Sequence, residues 1–256
     1  MTTPRRILLE VCIASAEDAS VAAGAGADRL ELNAALALGG LTPSLGSIVE
    51  TRQATGLPLI VMARPRPGGF CYSVSEYQVL RRDVDAALSN GADGVAFGVL
   101  TESGEIDGQR VREVVRQIEP KQAVFHRAFD VTPDPFVALE TLIDVGVRRV
   151  MTSGQEESAY QGAPLIRHLI ARAAGRIEIL PAAGVNRFSV ADVVARTGCA
   201  QVHASLRASR PDRSTAARLQ VRFGSATNPP DDRFDATSAD LVRQMRSILD
   251  AQPRLS

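Results

Sequence analysis

Five side chains able to hold, move or balance charge stand near the ends of short apolar runs. They are Glu10 in L-L-E-V-C, Glu31 in R-L-E-L-N, Arg64 in V-M-A-R-P-R, His126 in V-F-H-R-A-F-D and His203 in Q-V-H-A-S. Carboxylates and imidazoles in one place do general acid–base work or bind a divalent metal, and an arginine holds a carboxylate or phosphate. Glu10, Glu31, His126 and His203 are therefore the candidate catalytic groups. Arg64 heads the candidate substrate-binding residues, with Arg66 in the same turn, Arg127 and Asp130 beside His126, Ser153 in T-S-G, Asn186 in A-A-G-V-N and Ser205 in H-A-S. Cys12, two positions after Glu10, is the candidate metal ligand. Buried charges are strongly disfavoured without partners, so these groups imply a shared polar pocket. The alternative reading of Glu10, Glu31 and Arg64 is a structural ion-pair network.

Composition excludes several chemistries. Among 29 basic residues there is a single lysine, Lys121, at the entry end of the run that leads to His126. Schiff-base catalysis and covalent pyridoxal phosphate attachment, which need a lysine amine, have no candidate at the other end. Acidic residues also number 29, so formal charge balances and no general electrostatic grip on nucleic acid or membrane is expected. Cys12, Cys71 and Cys199 are few and scattered, which fits a reducing compartment without a disulfide framework. The first residues carry no signal-peptide core and no stretch is apolar enough to span a bilayer, so a cytoplasmic location is expected.

The positioning elements repeat. Apolar strands are read at about 7–12, 29–33, 58–63, 94–98, 122–126, 148–152, 176–182 and 200–204, with amphipathic helices between them. Ser73 and Glu76 make a capping box, and Asp134–Pro135 reads as an N-cap with a first-turn proline. Gly26, Gly56, Gly91, Gly146, Gly175 and Gly198 stand where helices should stop. Eight βα units in one chain of this length predict a single-domain (β/α)8 TIM barrel over residues 1–256, its core at about 7–206. A doubly wound open sheet is the runner-up, but it wants a glycine-rich turn after the first strand, where this chain has E-V-C-I-A-S. Residues 207–256 form an extension. Its arginine-rich segment of about 207–236 is too long for a simple connection and is expected to contact a second subunit or the barrel mouth, and a closing helix follows.

In a barrel, alternate strand residues face inward. If Leu9, Val11, Leu30 and Leu32 face the helices, then Glu10, Cys12, Arg29, Glu31 and Asn33 turn inward, as do Met62, Arg64, Val124, His126, Gln201, His203 and Ser205. The charged set then gathers in the C-terminal halves of five strands, the end where barrel enzymes work. T-S-G, A-A-G-V-N and H-A-S after strands 6, 7 and 8, with the turns G-G-L-T-P-S and R-P-R-P-G-G-F, add backbone donors, so the expected partner is a small polar or anionic ligand. His168 lies on a helix and reads as structural; Cys71 and Cys199 read as bystanders.

Together, E-V-C, G-A-D-R-L-E-L, G-G-L-T-P-S, R-P-R with the following G-F-C-Y-S, H-R-A-F-D and T-S-G-Q, in this order over about residues 7 to 206, resemble the CutC family of copper homeostasis proteins. The resemblance implies a cytoplasmic (β/α)8 barrel, homo-oligomeric as a dimer or tetramer, that handles copper, with Cu(I) held by cysteines in E-V-C and in a later E-L-C. Here the first is Cys12 but the second position is Asn33, a poor ligand for a soft cuprous ion. Gly69 replaces an acidic residue usual in the family before the phenylalanine, and the glycine run after strand 7 is reduced to Ala182–Ala183–Gly184.

Overall fold

The computed structural model describes residues 6–223 and 231–252. Eight parallel strands alternate with helices around a nearly closed barrel. The strands are β1 (Leu8–Ile13), β2 (Arg29–Leu32), β3 (Leu59–Met62), β4 (Gly94–Phe97), β5 (Gln122–Phe125), β6 (Arg149–Thr152), β7 (Glu178–Pro181) and β8 (Gln201–Ala204). Hydrogen-bonded pairing runs β7-β6-β5-β4-β3-β2-β1-β8. The single-domain barrel expected from the βα period is the fold observed.

The helices are α1 (Ala16–Ala25), α2 (Leu45–Ala54), α3 (Val74–Ser89), α4 (Gly108–Ile118), α5 (Pro135–Asp144), α6 (Ala163–Ala173), α7 (Val190–Thr197) and α8 (Ala239–Asp250). Their starts follow local chemistry. The Ser73 hydroxyl accepts from the Glu76 N–H while the Glu76 carboxylate accepts from the Ser73 N–H, closing the capping box at the head of α3. Asp134 caps α5 ahead of Pro135. Gly26 ends α1 with φ 106°, in the left-handed region where glycine avoids a Cβ clash. Gly56 does not act this way: α2 already ends in an extended Thr55.

Two apolar layers result from strand alternation. Leu9, Val11, Leu30, Leu32, Val61, Val95 and Phe97 pack outward beneath the helices. Ile60, Met62, Ala96 and Val124 form one inward patch, and Met151, Leu180 and Ala182 another. Below the mouth, inward polar residues replace apolar filling: Glu10, Arg29, Gln122, Arg149, Glu178 and Gln201 form a hydrogen-bonded layer. Gln201 Nε2 donates to Glu178 Oε2 at 3.2 Å, between β8 and β7. Among the described residues no backbone ladder joins those two strands.

The C-terminal extension differs from the irregular segment expected. β9 (Arg207–Pro211) and β10 (Arg233–Thr237) form an antiparallel ribbon. It lies against α1, with the Thr237 N–H donating to Asp18 at 2.6 Å and Arg210 reaching Glu17 at 3.0 Å. The ribbon escaped the sequence reading because its strands are separated by a long polar stretch without hairpin-turn chemistry. Residues 224–230, within the segment assigned to partner or mouth contacts, lie outside the described residues. α8 then packs on α1 and α7, and Arg246 donates to the Ile7 carbonyl at 3.0 Å and Asp28 at 2.9 Å. No helix among the described residues is long and apolar enough to cross a membrane.

Candidate functional site

Register assembles the mouth. Glu10 stands level with Arg29 on one neighbouring strand and His203 on the other, and one step higher Cys12 stands level with Glu31. Strand alternation turns all five inward, so their convergence needs no loop. Arg29 Nε donates to Glu10 Oε2, and Arg29 Nη2 donates to Gln201 at 2.8 Å. Glu10 Oε1 accepts from His203 Nδ1–H at 2.8 Å, leaving His203 Nε2 3.8 Å from Glu31. Cys12, Glu31 and His203 each offer a ligand atom, all within 4.8 Å of one another. Asn33 stands over this cluster: its amide donates to Glu31 Oε2 at 2.8 Å and toward Cys12 Sγ at 3.5 Å.

The charge states follow from burial and neighbours. Burial works against the Glu10 carboxylate, but Arg29 and His203 override it and hold the group well below the usual carboxylate range. Burial pushes the Glu31 carboxyl up, with His203 only partly opposing; its Oε1 has no hydrogen-bond partner. Burial likewise raises the Cys12 thiol. Burial disfavours charge on His203 too, yet Glu31, Cys12 and Glu10 together raise it well above an ordinary histidine.

Across the barrel a cavity of about 420 Å³ opens above this cluster. Arg64, His126, Arg127, Asp130, His203 and Ser205 line it, together with Cys12, Glu31 and Asn33. Arg127 pairs with Asp130 at 2.7 Å, and that carboxylate also accepts from Thr152 Oγ1 at 2.5 Å and the Ser153 N–H at 3.0 Å, pinning the loop after β6. His126 directly follows β5, and its Nδ1 accepts from the Ala128 N–H at 3.1 Å. Burial, then the Arg64 charge, push its pKa down to about 3.

Four expected members stand elsewhere. Glu10 is the buried brace beneath the cavity, not part of its lining. Arg66 turns away to Glu76 at 2.5 Å, over the Tyr72 ring. Asn186 is exposed and holds its own turn, donating to the Gly184 carbonyl at 3.1 Å and accepting from the Phe188 N–H at 2.9 Å. Ser153 is fully buried and braces Asp130 and Arg127. Loop side chains take their direction from local hydrogen bonds, which no strand period reveals.

Two residues escaped the sequence reading. Phe70 lies between the Arg64 guanidinium, 5.0 Å from its ring, and the tilted His126 ring, 5.1 Å away. Gly98, just past β4, leaves room for the His126 ring: a Cβ there would meet Nδ1 at 2.7 Å and Ala128 Cβ at 2.8 Å. Gly98→Ala is expected to rotate the His126 ring out of its bond with the Ala128 N–H and to destabilise the fold by about 1–3 kcal/mol, as overpacking does. A shifted imidazole resonance with a lowered urea midpoint checks it; an unmoved resonance refutes it.

A model of the CutC family matches residues 7–208. A Treponema denticola family protein CutC is 44% identical over 95% of this chain and 100% of its own length. A Homo sapiens copper homeostasis protein cutC homolog is 39% identical, covering 94% of this chain and 88% of its own. Among solved structures, a putative copper homeostasis protein CutC from Streptococcus agalactiae superposes with a TM-score of 0.73 at 32% identity, covering 77% of this chain and 97% of that one.

Proposed function

Because this chain belongs to the CutC family, we propose that its barrel mouth takes up a metal ion through Cys12, Glu31 and His203, with copper, in its relatives' names, as the cargo. The observation that carries this reading is the thiol, carboxylate and imidazole within 4.8 Å of one another, with Glu10 bracing the far nitrogen of His203. A carboxylate on the second imidazole nitrogen orients a metal-binding histidine and raises its basicity.

The donor set decides which oxidation state fits. Cu(I) prefers soft sulfur. Only Cys12 is offered at this site, since Asn33 fills the place beside it, Cys199 is buried below β8 and Cys71 is exposed after β3. One sulfur, one nitrogen and one oxygen suit a borderline divalent ion such as Cu²⁺ or Zn²⁺. Weak Cu(I) binding is therefore expected from the wild type, and roughly tenfold or more tightening from Asn33→Cys. Competition against a chromophoric Cu(I) chelator, on wild type, Cys12→Ser and Asn33→Cys, tests it. Tight one-to-one binding by wild type that vanishes in Cys12→Ser would overturn the need for a second thiol. Uptake requires His203 to release its proton and Cys12 to ionise, so affinity falls as pH falls.

Glu31 supports a second reading. A buried carboxyl with a raised pKa and an unpartnered oxygen, facing a cavity, is a competent acid–base group for a small polar or anionic substrate. A discrete small molecule carried through native purification and lost in Glu31→Gln would favour that reading over the metal.

A further inference from the structure

We propose that the wall of the cavity built from β3 and β5 is an anion-binding subsite, in which Arg64 and His126 hold the carboxylate or phosphate of a small molecule.

Arg64 carries a charge that the protein does not balance. It is 8% exposed and lines the cavity, yet among the described residues no acidic side chain lies within 4.0 Å of it. Its Nη1 donates to the carbonyls of Leu38 at 3.3 Å, Gly39 at 3.2 Å and Gly40 at 3.2 Å, and its Nη2 to that of Gly68 at 2.7 Å. These bonds fix the side chain, but they supply dipoles and no counter-charge, and Nε has no partner. The other charged side chains of the lining have counter-charges: Arg127 has Asp130, and His203 stands between Glu10 and Glu31. A cation withdrawn from water without a counter-charge is costly, and an anion in the cavity would remove that cost.

His126 selects the same class of ligand. The Ala128 N–H donates to Nδ1 at 3.1 Å, so the ring proton is on Nε2, a buried donor without a partner among the described residues. Phe70 lies against the Arg64 guanidinium and the His126 ring and adds no anionic group of its own. A wall with a fixed cation, one open N–H donor and a phenyl ring repels a metal ion and leaves a neutral ligand's charge balance unmet. An anionic group meets both needs. The 420 Å³ volume is that of a small-molecule pocket.

The subsite shares the cavity with the proposed metal cluster but does not depend on it. β5 lies across the barrel from β1, with three strands between them on one side of the sheet order. The test therefore uses metal-free full-length protein at pH 7 and constant ionic strength, titrated with inorganic phosphate in one arm and malonate in the other, and read by calorimetry and by thermal midpoint. Saturable one-to-one binding in at least one arm is expected, and the better arm identifies the anion's chemistry. His126→Phe keeps the ring packing, removes the donor and should weaken binding about tenfold; Arg64→Gln should abolish it. Because Arg64→Gln also loosens four carbonyl contacts, the His126→Phe result decides the matter if that variant fails to fold. Arg172→Gln, a surface arginine paired with Glu140, should bind the anion as wild type does, and because no metal is present in this titration, failure of the copper titration and failure of this one are separate results. No saturable binding in either arm, or equal affinity in wild type and His126→Phe, would overturn the proposal.

Discussion

Arg29→Met is expected to lower the unfolding free energy by about 3–5 kcal/mol, the usual cost of stranding one partner of a buried ion pair. Arg29 is 4% exposed and Glu10 1%, so water cannot replace the lost guanidinium. His203 would remain beside Glu10, but it is shared with Glu31 and lies on the opposite flank of β1. Gln201 also loses the Arg29 donor, which loosens the layer beneath the mouth. Chemical denaturation of Arg29→Met, Glu10→Leu and the double variant measures it. The double variant should recover part of the loss, because neither member of the pair is then stranded, although the His203 Nδ1–H loses its acceptor. Equal losses in the double and in the simple sum of the singles would show that the pair carries no coupling, contrary to this expectation.

The second large effect concerns acid. His126 is held neutral down to about pH 3, against an ordinary value of 6.5. Its folded value is the lower one, so between these limits the unfolded chain binds a proton that the folded chain refuses. Stability therefore falls as pH falls through that window, at up to about 1.4 kcal/mol per pH unit, and the group contributes nothing to the slope above it. By pH 4 the accumulated loss is roughly 3 kcal/mol. His126→Gln, which keeps an acceptor for the Ala128 N–H, should lack this component while sharing the carboxylate contributions of the rest of the chain. Urea midpoints from pH 7 to pH 4 should fall more steeply for wild type than for His126→Gln. Parallel curves would show that His126 charges freely in the folded state.

The readable part of the site was the part built on strands. Once Leu9 and Val11 are given to the helix layer, alternation leaves Glu10 and Cys12 no other direction, and parallel pairing then brings Arg29, Glu31 and His203 beside them. Arg64 and His126 followed the same parity although each lies just past a strand end. What alternation could not show was depth. Glu10 is one level below Cys12, which makes it a brace under the cavity, while Glu31 reaches the lining. Arg66 and Asn186 misled because arginine and asparagine on loops satisfy themselves locally, the first with Glu76 and the second with its own turn. Gly98 mattered for an absent side chain, and only the packed ring of His126 shows that. The ribbon of β9 and β10 joins residues more than twenty positions apart, a pairing set by what packs on α1 rather than by any local pattern.

Among the described residues, seven of the eight joints in the barrel wall are backbone ladders, whose amides carry no titratable group. The eighth, between β7 and β8, carries instead the side-chain bond from Gln201 to Glu178, whose carboxylate the guanidinium groups of Arg148 and Arg149 pair from the β6 side. Burial opposes charge on Glu178, but Arg149 and Gln201 hold its carboxyl below the ordinary range. The acceptor is therefore fully charged above the usual carboxylate range, and the bond weakens as pH falls through the folded value of Glu178. The barrel is in this respect a split ring whose clasp is a neutral amide closing on a charged carboxylate. Gly184 and Ser205, which border the cavity, follow the two edges that this clasp joins, so the cavity rim stands directly above the one seam without a backbone ladder among the described residues.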